Sequence, residues 1–212
     1  MNAEEINQTY AQKFGENDTL LQGHYDQVQR DLALTDDERA GRAIEGQERA
    51  SVYLHQLEEW RTAQLEEREN DLRDDLFAVR TVNGYDGTVT KEDANGAQLV
   101  AIEASDEKLQ VLANRAAQSK NSTIARAVSA EAHARDRHDI AMHALGWLPA
   151  KHEAYTELMS VPTAEERAAR LDRARTSIPL PSMSRLRPTT EQRETQGRIE
   201  AANRAQRARF EG

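Results

Sequence analysis

Large apolar side chains are too scarce in this chain to fill a thick core. Leu, Ile, Val and Phe together make 37 of its 212 residues, about 17%, below the roughly 20% level at which a highly charged chain tends towards disorder. Thirty-two alanines bring the apolar fraction to 38%, but an alanine methyl buries little surface while favouring helix strongly. The combination predicts long, thin helices rather than a thick globule, in a mainly α fold. The same poverty predicts a chain that gains stability by laying itself on another protein.

Other features exclude whole classes of chemistry. With no Cys, disulfides, a thiolate nucleophile and Cys-ligated zinc are all ruled out. No run approaches the roughly 18 consecutive apolar residues of a membrane-spanning helix. The opening Met1-Asn2-Ala3-Glu4-Glu5 lacks the basic-then-apolar order of a secretory signal. The expectation is a soluble chain of cytosolic origin with no membrane partner.

Apolar positions at Ile6, Tyr10, Phe14, Leu20, Leu21, Tyr25, Val28 and Leu32 recur at mostly three and four, the spacing of an amphipathic helix, with Gly15 and Gly23 as interruptions. Thr35-Asp36-Asp37-Glu38 is a capping box and opens a long helix to about Val79. Acid-then-base pairs four apart, such as Glu45 with Arg49 and Glu69 with Arg73, reinforce it. Between residues 80 and 104 the turn dipeptides Asn83-Gly84, Asp86-Gly87 and Asn95-Gly96, with β-favouring Val82, Val89 and Ala97 to Glu103, predict a small β-hairpin or ordered loop. Ser105-Asp106-Glu107 caps the next helix, Lys120-Asn121-Ser122 breaks the chain, and a second helix runs from Ile124 to Leu145. These two form a helical hairpin. Two shorter helices follow, Ala150 to Met159 and Thr163 to Thr176, the latter with a Thr-x-x-Glu cap.

The chain then changes character. Residues 1–176 form an acidic helical body. Residues 177–188 hold three of the five prolines and are predicted to run as an extended arm, because proline cannot continue a helix. Residues 189–212 read as an Arg-rich C-terminal helix too poor in apolar groups to fold alone. Charge is partitioned accordingly, with net +4 over residues 161–212 and −13 over residues 1–160. Ile178, Leu180, Met183 and Leu186 are the apolar teeth of the arm. Together with Arg185, Arg187, Arg198, Arg204, Arg207 and Phe210 they are the predicted partner-binding residues.

No catalytic or cofactor constellation is legible. His133, His138, His143 and Asp139 fall on one predicted helix, but the histidines are five apart, about 500° of turn, so they do not share a face. No metal site is predicted, and these residues are assigned to the solvent face. The acidic turns at Asp86 and Asp93 lack calcium-loop spacing, since the twelfth position from Asp93 is Ala104. Phosphate-binding glycine loops are absent. The carboxylates cluster in Arg-laced helix faces where no apolar pocket raises a pKa. Nucleic acid is disfavoured as partner, because Glu191, Glu194, Glu200 and Glu211 interleave the tail arginines and the body is strongly acidic. An acidic protein surface fits the tail better. Trp60 and Trp147 are read as helix-contact residues.

Three stretches carry a resemblance: Leu34-Thr35-Asp36-Asp37-Glu38-Arg39-Ala40, then Ile124-Ala125-Arg126-Ala127-Val128 through Ala144-Leu145-Gly146-Trp147-Leu148, and Tyr155-Thr156-Glu157-Leu158. Over about a third of its length the chain resembles the small, all-helical, Ala/Glu/Arg-rich accessory head proteins of tailed phages of actinobacteria. An Arg to Lys count of 23 to 5 is consistent with the high-GC genomes of such hosts. The resemblance implies a non-enzymatic virion structural or assembly role, with the major capsid or portal protein as partner, an oligomeric state, and location in the virion head after synthesis in the bacterial cytoplasm. A transient capsid-assembly scaffold and a nucleic-acid-associated helical regulator are the alternatives.

Overall fold

The computed structural model describes residues 1–78, 91–174, 178–195, 197–199 and 201. These form nine helices and, among the described residues, no strand: α1 (Ala3–Arg30), α2 (Asp36–Phe77), α3 (Lys91–Ile102), α4 (Asp106–Ser119), α5 (Ser122–Ala134), α6 (His138–Leu145), α7 (Pro149–Ser160), α8 (Ala164–Ala174) and α9 (Met183–Leu186). Residues 190–195 and 197–199 are also helical. The chain divides into two compact units, one of Met1–Glu5 with Ala63–Pro162, the other of Ile6–Thr62 with Thr163–Gly212.

In the second unit α1 is continuous through Gly15 and Gly23, so neither glycine interrupts it as expected. An exposed helical glycine costs only about 1 kcal/mol relative to alanine. The Thr35 box forms: the Thr35 amide donates to Glu38 Oε2 at 2.8 Å, and the Glu38 amide to Thr35 Oγ1 at 3.3 Å. The Thr35 amide and hydroxyl, both donating to Glu38 Oε2, hold the Glu38 carboxyl below its ordinary range. Gly46 is a site of close approach, where His24 lies against α2 and an added Cβ would stand 2.3 Å from the ring. The core of this unit is Leu21, Tyr25, Val28, Ala43 and Ala50, closed by Leu186.

The first unit is built around α5. Helices α3, α4 and α6 all pack on it, and α7 packs on α6. Leu72, Leu76, Leu109, Val128, Ile140, Leu145 and Tyr155 fill the core, with Ala101, Ala113, Ala127, Ala132, Ala141 and Ala144 interleaved. Those alanines are how the chain manages with few large side chains: small residues let helix backbones approach, so less volume has to be filled.

Arginines secure the helix ends. The last carbonyls of a helix lack intrahelical donors, and α2 and α3 carry no basic residue in their last turns. Each receives a guanidinium from elsewhere in the chain. Arg126 Nη1 donates to Asp75 O and Ala78 O at 3.0 and 2.7 Å. Arg135 donates to Ala104 O at 2.7 Å and Ile102 O at 2.9 Å. In the second unit the buried Arg39 serves α1 through Val28 O at 2.6 Å, Gln29 O at 3.3 Å and Asp31 O at 2.5 Å. The planar fork of arginine reaches two carbonyls at once, which a lysine ammonium does less well.

Three expectations need correction. Residues 91–102 are helical, so the strand expected over Ala97 to Glu103 and the turn at Asn95-Gly96 are absent; the rest of the expected hairpin, residues 79–90, lies outside the described residues. Helix formation there follows from Ala94, Ala97 and Ala101, three or four apart, packing on α5, which outweighs the local β preference of Leu99-Val100. The single helix from Ile124 to Leu145 is two, α5 and α6, parted at Asp136, whose φ is 58°. An aspartate tolerates that left-handed conformation better than most residues. Finally, the Pro-rich segment is not extended throughout: Met183–Leu186 is a turn of helix, and the segment lies on its own chain.

Candidate functional site

The predicted partner-binding residues fall into three groups. Leu186 is 1% exposed and packs with Leu21, Tyr25 and Val28, with Ile178 and Met183 against the same cluster. Gln47 donates from its side chain to Ile178 O, Arg185 donates to Gln22 Oε1 at 2.5 Å, and Arg187 pairs with Asp36. Those residues face their own unit. Leu180, at 48% exposure, and the exposed Arg198 point outward. Arg204, Arg207 and Phe210 lie outside the described residues.

Of the histidines assigned to a solvent face, His143 is exposed, whereas His133 and His138 are half-buried. The break at Asp136 removes the 500° separation that a continuous helix imposes and brings the His133 and His138 rings within 5.6 Å of each other. Their Nδ1 atoms lie 3.2 and 2.9 Å from the same hydroxyl, that of fully buried Tyr155. Phe77 flanks the group, its ring 5.4 Å from that of His133. Burial pushes the Tyr155 hydroxyl up to about 12. It pushes His133 down, with Arg73 and His138 adding to the effect. The hydroxyl therefore keeps its proton at neutral pH. It donates to one neutral imidazole, while the other donates its own Nδ1–H to the phenolic oxygen. This arrangement ties α5, α6 and α7 together. His143 bonds Asn114 and Asp139 pairs with Arg137, so the four expected residues do not converge. Among the described residues no group of three or more His, Asp or Glu is placed to hold a metal ion. The sequence sign that was available is Asp136, a residue that enters the left-handed region readily, between two histidines.

A second feature of the first unit has no counterpart in the sequence reading. Helix α3 is packed inside out: Ala94 and Ala101 are buried against the core, while Leu99, Val100 and Ile102 are 59, 54 and 57% exposed. Val111 on α4 is 64% exposed. Both α3 and α4 rest on α5 but barely on each other, and a groove of about 680 Å³ is lined by Ala97, Val100, Leu112, Ile124 and Val128 together with Asp93 and the polar run Ser119 to Thr123. A further hollow of about 460 Å³ along Val100, Val111 and Leu112 carries Glu103, Glu107 and Lys108 beside it. Fully burying a Val, Leu or Ile is worth about 1.5–3 kcal/mol, so four half-exposed residues forgo several kcal/mol.

No family model, curated protein or solved structure matches this chain. Among the described residues no helix is long and apolar enough to cross a membrane.

Proposed function

We propose that the chain is a non-enzymatic structural or assembly protein whose role is to dock on protein within a larger particle, the head of a tailed phage being the setting its resemblance implies. The observation that carries the docking role is the inverted helix α3, with Leu99, Val100 and Ile102 turned to solvent and alanines turned inward. A helix that spends its large side chains on water and its small ones on the core is suited to a partner. The arm keeps Ile178, Met183 and Leu186 against its own unit, so in this reading the α3–α4 face docks, with Leu180 and Arg198 as the outward-pointing residues of the C-terminal part. The test is Val100→Glu in the native host, followed by quantitative mass spectrometry of purified particles. Incorporation should drop about tenfold or more, since a buried unpaired carboxylate is costly, while soluble protein persists. Unchanged incorporation of the variant, or absence of the wild-type chain from every particle fraction, refutes the reading.

A further inference from the structure

We propose that His133, His138 and Tyr155 form a binding site for a divalent transition metal ion, with copper(II) as the ion their donors suit best. The sequence spacing of the two histidines argues against such a site, because a continuous helix would separate them. The break at Asp136 removes that bar. The fold then brings three donor atoms together, Nδ1 of His133 and Nδ1 of His138 lying 3.2 and 2.9 Å from the Tyr155 hydroxyl oxygen. Ligand atoms about 2.0–2.1 Å from an ion stand about 2.9 Å apart at right angles and about 3.4 Å apart at tetrahedral angles. Both separations in the chain fall within that interval, so two edges of a coordination site are already set. Two imidazoles alone hold an ion poorly; the third donor here is a phenol.

Each donor is held by neighbours outside the cluster. Tyr155 is fully buried on α7. His133 lies in the last turn of α5 and His138 opens α6. The residues joining them are pinned, since Arg135 donates to Ala104 O at 2.7 Å and Arg137 pairs with Asp106. Donors fixed in this way lose little freedom when an ion enters. The half-buried imidazoles give it a path from solvent. Of the charges that act on His133, Asp136 and Glu69 favour a cation, and Arg73, which opposes one, is paired with Glu69 at 2.9 Å. Asp136 acts on Tyr155 as well. Imidazole nitrogens suit copper and zinc, and affinity rises across the first-row divalent ions to copper(II); calcium and magnesium need oxygen ligands. On binding, the two Nδ1 atoms and the phenolate oxygen form bonds to the ion, the Tyr155 O–H bond breaks, and its proton passes to the buffer. The imidazole that carried its proton on Nδ1 carries it on Nε2 instead. Burial holds the hydroxyl proton tightly, and a bound cation reverses that preference.

The test uses the full chain, purified, stripped with EDTA and titrated with copper(II) chloride in a non-coordinating buffer at about pH 7.5, where free imidazoles are neutral. The wild type should bind the ion with a visible phenolate-to-copper charge-transfer band and release one proton per ion. Tyr155→Phe keeps the ring and should abolish both signals. His133→Gln and His138→Gln should each weaken binding by about a hundredfold or more, since losing even a supporting partner of a metal ligand costs about 10–100-fold. His143→Gln is the control, because that ring bonds Asn114 instead, and its binding should equal that of the wild type. Circular dichroism confirms that each variant is folded. A wild type that binds no copper overturns the inference. Copper bound without the band, or a band that survives Tyr155→Phe, puts the ion on other side chains and overturns it too. The band and the proton count are read on the wild type, so neither depends on a variant folding. The site stands or falls independently of what the α3–α4 face docks on.

Discussion

Replacing Leu186 by Ala tests whether the Pro-rich segment belongs to its own unit. The side chain is 1% exposed among Leu21, Tyr25, Val28, Ala43 and Ala50. Leu→Ala at a buried site costs about 2–5 kcal/mol, the upper values arising where the cavity stays open. Here α9 is only four residues long, and a short turn settles into a void more easily than a long helix does. The expected loss is therefore in the lower half, about 2–3 kcal/mol. Leu180→Ala is the control, since Leu180 is half-exposed and its loss should cost about 1 kcal/mol or less. Urea unfolding followed by far-ultraviolet circular dichroism reads both, with fits allowed a separate transition for each unit. If Leu186→Ala falls within about 0.5 kcal/mol of wild type, as surface substitutions do, the segment does not depend on its own unit and the reasoning fails.

Three further outcomes follow from the same geometry. Arg39→Lys should destabilise the second unit by about 2 kcal/mol, because one ammonium cannot serve the three carbonyls of α1 and buried orphan acceptors cost about 1–3 kcal/mol each; equal urea midpoints for variant and wild type would count against the capping role. His133 sits below its ordinary pKa in the folded chain, so the unfolded chain binds more protons below about pH 6.5 and stability falls as pH drops from there towards the folded value. His133→Gln should flatten that part of a stability profile, and a profile identical to wild type is the contrary result. Glu157 lies below the usual carboxylate range because Arg68 grips it at 2.7 and 2.9 Å, with the Ala3 amide at 2.9 Å as a lesser cause. Its contribution is present above its unfolded pKa and lost as pH falls through the folded one. Glu157→Gln should cost about 1 kcal/mol at neutral pH and nothing in acid, which thermal melts at two pH values can check.

Local signals in the sequence determined much of the helical layout. Thr35, Ser105 and Thr163 each open a helix where a short polar side chain can reach the free amides of the next turn, and those bonds are present. Capping chemistry is contained within four residues, so no tertiary information is needed to read it. The mainly α character follows from the abundance of alanine beside few large apolar residues.

Only the tertiary structure decided which face of each helix is inner. The Leu99-Val100 pair lies in a segment that reads as strand, and large aliphatics are ordinarily buried. It is neither, since the tight approach of α3 to α5 admits alanines and excludes larger groups. His133 and His138 fall on different faces of the single helix that periodicity gives, and one left-handed residue at Asp136 brings them to a common hydroxyl. The arginines, legible as a count, acquired meaning only when Arg39, Arg126 and Arg135 were seen to reach carbonyls 8 to 51 residues away. Periodicity reports that a helix has two faces. Which face is wet depends on the size and spacing of what packs against it, and that is set by residues far away in the chain.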